Sequence, residues 1–341
     1  MLHRYDNRAF GWYANFDGCA YYRIQKPMEA LSTSFMLHDT WGTDVDRRLP
    51  VDWQDYDVIV GQRVCMGDGN GGGPADLWVG EVTKDRNVLS VYEVDDDLFN
   101  VDPSNPAYGF FSDPAVQQNM KMCMQASDLV TVSTEPLREQ MLKYNANVKV
   151  VPNFIDIDVL KIPRKQSDPD KVVIGWFGSP THEMDFAPMA EELGIFMGMN
   201  PHTRFMTIGG NFTHGLPIDR VRAIGWISTT RKVYKQVAKF DIGIAPLAPH
   251  IFNESKSYIK ALEYAALGIP CVASKVGPYV DFIEHGVTGF LVEKPGDWKK
   301  YVGELVNDEE LRARMGQAAR KKADDYTIQG NAWRWANALR G

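Results

Sequence analysis

The sequence predicts an α/β protein made of two Rossmann-like, doubly wound parallel-sheet domains. Three observations carry that expectation. Apolar runs alternate with helical patterns through the first half, as in a parallel sheet covered by helices on both faces. The stretch from Asp241 to Ser274 reads as strand, loop, helix and strand. A chain of 341 residues, 44% hydrophobic and 24% charged, is long enough for two separate cores. Lys161 to Asp170, rich in charge and proline, reads as the linker, giving an N-terminal domain over residues 1–160 and a C-terminal domain over 161–327.

In the first domain, Ala9 to Ala14, Ser34 to His38, Val58 to Gln62, Val88 to Val94, Leu129 to Ser133 and Val148 to Pro152 read as strands. The loop from Asn15 to Arg23 follows the first of them, where a doubly wound sheet collects ligands. Arg23 is its cation; a structural turn with a surface arginine is the other reading. Gly67 to Gly73 is too glycine-rich for an element and lacks the Lys-Ser/Thr of a phosphate-binding loop, so it reads as a mobile loop or linker slack. Tyr92 to Phe99 ends a strand in three carboxylates, Asp95, Asp96 and Asp97.

The second domain opens with the strand Val172 to Phe177. Gly178-Ser179-Pro180-Thr181-His182 follows, its small residues letting backbone approach a ligand, and a helix begins near Glu183. His182 is either a helix-start histidine or a ligand contact. Thr203 to Gly209 and Arg222 to Ile227 supply further strands, and Trp226 either faces a ligand or fills the core. Asp241 to Leu247 is a short apolar strand ended by Pro246. Ser255 is a suitable N-cap and Gly268 a suitable stop for the helix between them. On that helix Tyr258, Ile259, Leu262, Ala265 and Ala266 share one side, and Lys256, Lys260 and Glu263 the other. Such a stripe is often only solvated surface. A lysine in the first turn, however, sits at the positive end of the macrodipole, which is unfavourable unless an anion arrives to be shared with the free N–H groups. Lys256 therefore suggests a phosphate site. Beyond Val292 come helical patterns holding Trp298, Tyr301, Leu311 and Met315, then Tyr326 to Leu339 with Trp333 and Trp335.

Composition narrows the function classes. The net charge is −7; residues 1–160 hold 13 Lys+Arg and 24 Asp+Glu, or −11, and the remainder 24 and 20, or +4. So acidic a first half disfavours binding to DNA phosphates. The four cysteines (Cys19, Cys65, Cys123, Cys271) are scattered, and the seven histidines equally so, which leaves neither a disulfide framework nor a readable zinc site. With no signal pattern and no apolar run of about 20 residues, the expectation is a cytoplasmic protein without a transmembrane segment.

The run Asp241-Ile-Gly-Ile-Ala-Pro-Leu247, the helix Lys256-Ser257…Lys260-Ala-Leu-Glu263-Tyr-Ala-Ala-Leu-Gly268-Ile-Pro270, and the segments Gly277-Pro278-Tyr279 and Gly286-Val-Thr-Gly-Phe-Leu-Val292 resemble the donor half of family-4 glycosyltransferases of the GT-B fold. The resemblance spans most of residues 171–340. It implies that Glu263 binds the ribose of a nucleotide-sugar and that Ser255, Lys256 and Ser257 hold its diphosphate. It also implies that Arg23 faces the interdomain cleft and that the last helix, residues 328–341, packs back onto the first domain. Two departures stand out. The family's other glutamate, eight residues earlier, is Ser255 here, with Glu254 one residue out of register. The arginine and lysine that many relatives carry after the first strand of this half are absent between Lys171 and Arg204, so Lys256, Ser179, Thr181 and backbone amides take a larger share.

Asp95-x-Asp97 imitates the metal-binding Asp-x-Asp of the other large glycosyltransferase fold, but the nucleotide features lie in the second half, where Lys256 and a helix end replace a metal. The run Tyr92 to Phe99 also looks, more loosely, like glycosyltransferases encoded by tailed phages, which would place the protein in the host cytoplasm. The expected activity is a retaining transfer of sugar from a nucleotide diphosphate-sugar, such as a UDP-sugar, to a hydroxyl of a glycan, a virion protein or a hydroxymethylated DNA base, with no cofactor and no essential metal. Lys256, Glu263 and Arg23 are the expected catalytic residues, and Gly178, Ser179, Thr181, His182, Trp226, Ser255 and Ser257 join Lys256 and Glu263 in holding the donor. A nucleotide-sugar epimerase and a catalytically inactive sugar-nucleotide-binding protein are the alternatives.

Overall fold

The computed structural model describes residues 8–14, 18–35, 38–42, 53–67, 73–164, 168, 170–294 and 296–340. Two parallel sheets organise it. The first contains β1 (Arg8–Trp12), β2 (His38–Gly42), β3 (Val58–Gln62), β4 (Leu89–Glu93), β5 (Leu129–Val132) and β6 (Val148–Val150), in the order β2-β1-β3-β4-β5-β6. The second contains β7 (Val172–Gly178), β8 (Thr203–Gly209), β9 (Val221–Ile224), β10 (Ile242–Ala245), β11 (Cys271–Ser274) and β12 (Gly289–Val292), in the order β12-β11-β10-β7-β8-β9. Central strands such as β3, β5, β10 and β11 are buried along their whole length, which is why they read as unbroken apolar runs. In each sheet the order reverses beside the first strand, between β1 and β3 and between β7 and β10. The crevices that doubly wound sheets offer to ligands open there, at the strands' C-terminal ends.

Close helix–sheet packing in the second domain depends on bare backbone. A Cβ on Gly243 of β10 would lie 2.6 Å from the Tyr264 ring on the helix above. Gly268, at φ 67°, stops that helix in the left-handed conformation as expected.

The strand expected over Ser34 to His38 is displaced. Lys26–Phe35 is helical and β2 begins at His38, with residues 36–37 outside the described set. Ile24, Met28 and Leu31 recur at helical spacing and bury completely against the sheet, and this outweighs the strand-like look of a short apolar run. The strand expected over Arg222 to Ile227 is β9, which ends before Gly225. Of the other expected segments, Asn15 to Asp17, residues 68–72 of the glycine-rich loop, and residues 165–167 and 169 of the linker lie outside the described residues.

The final helix, Ile328–Ala338, packs on the Lys26–Phe35 helix of the first domain. Ile328, Ala332, Trp335 and Leu339 share one buried cluster with Ala9, Ile24, Met28 and Val60. The chain thus crosses between domains twice. The crossings run side by side: Ile155 N–H donates to Tyr326 O at 2.9 Å and Ile328 N–H to Ile155 O at 2.8 Å. No helix among the described residues is long and apolar enough to cross a membrane.

Candidate functional site

Between the domains lies a cleft of about 500 Å3 at the C-terminal ends of β3 and β4 on one side and of β7 and β8 on the other. A larger interdomain cavity of about 1030 Å3, near Thr134, Pro246 and Arg334, lies beyond Leu247, which lines both. The charged residues of the sequence motif line the smaller one.

Its second-domain wall begins where β7 ends at Gly178. Ser179 Oγ accepts from Thr181 N–H at 3.4 Å and so starts the single turn Pro180–His182, which leads into the Glu183–Met199 helix. His182 Nδ1 is 2.8 Å from Asp185 Oδ2. Asp185 is itself fixed, since Oδ1 accepts from Ala248 N–H at 2.8 Å and from Asn253 Nδ2 at 2.7 Å. Burial, followed by the charges of Lys256 and Lys260, holds the imidazole below its usual range against the opposing pull of Asp185. Trp226, past the end of β9, is 55% exposed and lines the cleft, so it is not a core residue.

The helix start differs from the sequence expectation. Ser255 is not the N-cap: it terminates a short helix, Ile251–Glu254, and the next helix runs Ile259–Ala266 from Tyr258. Lys256 therefore precedes the helix instead of occupying its first turn. Contacts from the other domain decide this, because Thr134 Oγ1 donates to Ser255 O and Asn153 Nδ2 to Ser257 Oγ, each at 2.8 Å. Ser255 is 1% exposed and does not reach the cleft. Ser257 and Lys256 do; the ammonium lies 3.6 Å from Asp96 Oδ1 and over the Phe252 ring at 4.3 Å.

Glu263 is buried, not on a solvated stripe. Its Oε1 accepts from Tyr22 OH at 2.6 Å and Tyr234 OH at 2.8 Å, the two hydroxyls also touching, and Oε2 accepts from Lys260 Nζ at 3.1 Å. Burial pushes this carboxyl above its ordinary value, while Lys260 and Tyr234 work in the opposite direction. Lys260 also sits over the Phe177 ring at 3.4 Å.

Arg23 lies at the floor of the cleft, and its charge is already matched. It is fully buried, with Nε 2.7 Å from Glu93 Oε1, Nη1 on Val151 O and Asn153 Oδ1, and the guanidinium over Trp335 at 5.0 Å. It is neither a surface arginine nor a free cation. The first-domain cation closer to the opening is Arg63, at the end of β3 with φ 51°, which pairs with Asp95 at 2.6 Å and Asp96 at 3.0 Å. Asp97 turns inward to Asn100 at 2.8 Å. Among the described residues no group of three or more His, Cys, Asp or Glu is placed to hold a metal.

Sequence reasoning missed Tyr22, Tyr234 and Arg63 and gave Lys260 no role. Signals existed for Arg63, which directly follows an expected strand at a sheet's ligand-binding end, for Tyr22, within the ligand-side loop Asn15 to Arg23, and for Lys260, on the same stripe as Glu263; Tyr234 had none.

Residues 220–322 match the family described as Glycosyl transferases group 1. N-acetyl-alpha-D-glucosaminyl L-malate synthase of Bacillus anthracis is 29% identical over 235 residues, 62% of this chain and 58% of that protein. D-inositol 3-phosphate glycosyltransferase of Corynebacterium jeikeium is 37% identical over 83 residues, 24% of this chain and 20% of that one. The chain thus spans well under two thirds of these curated relatives. Two solved structures align over nearly its whole length: sucrose-phosphate synthase from Thermosynechococcus elongatus (TM-score 0.66, 14% identity, 98% of each chain) and Anabaena HepE in complex with UDP and glucose (TM-score 0.65, 16% identity, 98% and 100%). These likenesses establish the GT-B fold.

Proposed function

We propose that this chain, GT-B in fold and matching the group 1 glycosyltransferases over residues 220–322, transfers a sugar from a nucleotide diphosphate-sugar to a hydroxyl acceptor with retention of configuration. The observation that carries the reading is the convergence of Glu263, Lys260, Lys256 and the Gly178–His182 turn with exposed Trp226 on one cleft, at the C-terminal edge of the second sheet and facing the first domain. In this reading Trp226 stacks on the base. Glu263 takes the ribose hydroxyls in place of Tyr22. Ser179, Thr181, Ser257 and Lys256 hold the diphosphate. Lys256 and neighbouring amides stabilise charge as the leaving group departs, and the diphosphate itself takes the acceptor's proton, so the chain supplies placement and fixed dipoles. The acceptor hydroxyl enters from the side of Arg63, Asp95 and Asp96.

No metal is needed in this scheme, and turnover is expected to be unchanged by excess chelator. The UDP bound in HepE makes UDP-sugars the first donors to try, and we place the reaction in the cytoplasm. The test is incubation with UDP-, GDP- and ADP-sugars, with and without glycan, protein and hydroxymethylated-DNA acceptors. Glycosylated acceptor of retained configuration supports the proposal. Epimerised donor in the absence of acceptor would make the chain an epimerase, and binding without turnover a sugar-nucleotide-binding protein.

A further inference from the structure

We propose that His182 grips the donor diphosphate as an imidazolium, taking one proton from solvent as the donor binds. This deepens the glycosyltransferase reading and rests on it. The wall made by the end of β7 carries no permanent cation, since the sequence has no lysine or arginine between Lys171 and Arg204. His182 is the group on that wall which can become one. Its Nδ1–H is committed to Asp185, and Asp185 is pinned by Ala248 N–H and Asn253, so the ring cannot swing and its tautomer is set. Nε2 has no hydrogen-bond partner among the described residues, and the side chain, 23% exposed, lines the cleft with Ser179, Thr181 and Lys256.

Burial first, and then the neighbouring ammonium groups, disfavour the protonated ring before a ligand arrives. Lys256 and Lys260 face it from the segment after β10, Asp185 from its own helix and Asp96 from the first domain. With the ring mostly enclosed beside two ammonium groups, the charged form is disfavoured and the imidazole is held below its ordinary range. A diphosphate adds two negative charges to the same space and reverses the balance. Nε2 then takes a proton from water, and the new N–H donates to a phosphate oxygen. Asp185 acts here as a positioning residue.

The experiment is titration calorimetry of the full chain with UDP-glucose, whose diester diphosphate does not itself titrate near neutrality, in two buffers of different ionisation enthalpy from pH 6 to 8. The expected result is net proton uptake near pH 7 and an affinity falling about tenfold from pH 6 to 8, within the ceiling of tenfold per pH unit for one proton. His182→Asn is expected to abolish both and to bind at pH 6 about as the parent binds at pH 8, which separates His182 from Glu263. Binding by the parent with equal affinity at pH 6 and 8 and no proton exchange overturns the inference, whether or not the variant folds. Absence of binding by UDP-glucose, GDP-mannose and ADP-glucose at every pH overturns the nucleotide-sugar reading and the inference with it.

Discussion

The Tyr22 hydroxyl of the first domain donates to Glu263 Oε1 of the second at 2.6 Å, at the position where the proposed donor's ribose would be held. In the proposed donor complex, ligand and latch would compete for one carboxylate oxygen. Tyr22→Phe removes a hydrogen bond to a charged group, worth about 1.5–3 kcal/mol. The ligand-free variant is expected to open, with a larger radius of gyration by small-angle scattering, and to bind donor at least as tightly as the parent. An unchanged radius would show that Tyr22 does not hold the domains together.

Glu263→Gln is expected to weaken both donor binding and the fold. The carboxylate serves two tyrosines and Lys260, and the neutral amide leaves that ammonium without its ion partner in a buried setting. A loss of about 1–3 kcal/mol in urea unfolding is the expected size. Parental affinity for nucleoside diphosphate would remove Glu263 from the donor site.

Lys256→Ala has an acid signature. Burial pushes the Asp96 carboxyl up, but Lys256 and Arg63 outweigh it and hold the group below its ordinary value. A lowered carboxyl stabilises the fold above the unfolded value of about 3.9, and that stability is lost as pH falls through the folded value. Without Lys256 the loss begins at higher pH. Thermal midpoints measured from pH 6 to 3 are expected to fall earlier in the variant, with a difference within about 1 kcal/mol at neutral pH because the pair is partly exposed. Turnover is expected to drop about 10²-fold, as for loss of one preorganised stabilising group.

Trp335→Ala tests the return of the last helix. Trp335 is 2% exposed in the first-domain core and covers the Arg23 guanidinium, so truncation is expected to cost about 3–5 kcal/mol in urea unfolding. A change below about 1 kcal/mol would mean that the helix is only loosely docked.

The sequence revealed what depends on near neighbours. β3, β5 and β10, the Gly268 stop and the lysine–glutamate spacing around the Ile259–Ala266 helix are all readable, because apolar runs and helix stops are written within a few residues. Contacts across the domains are not. Ser255 looks like an N-cap locally, but Thr134 and Asn153, more than a hundred residues away, bind the backbone and side chain that set where the helix begins. Glu263 looks exposed on a helical wheel, but Tyr234 of its own domain and Tyr22, 241 residues earlier, both close over it in the fold. Arg23 reads from the sequence as the cation of its loop, yet Glu93 neutralises it.

The paired crossings at Ile155 and Tyr326–Ile328 also set how the two halves can move. A single connecting strand would act as a swivel, leaving three rotational freedoms. Two strands stitched edge to edge by two backbone hydrogen bonds form a strap with width. Such a strap is easier to bend about the line through both crossings than to twist, so any opening of the halves is expected to be hinge-like and to bring Tyr22 back to Glu263 on closing.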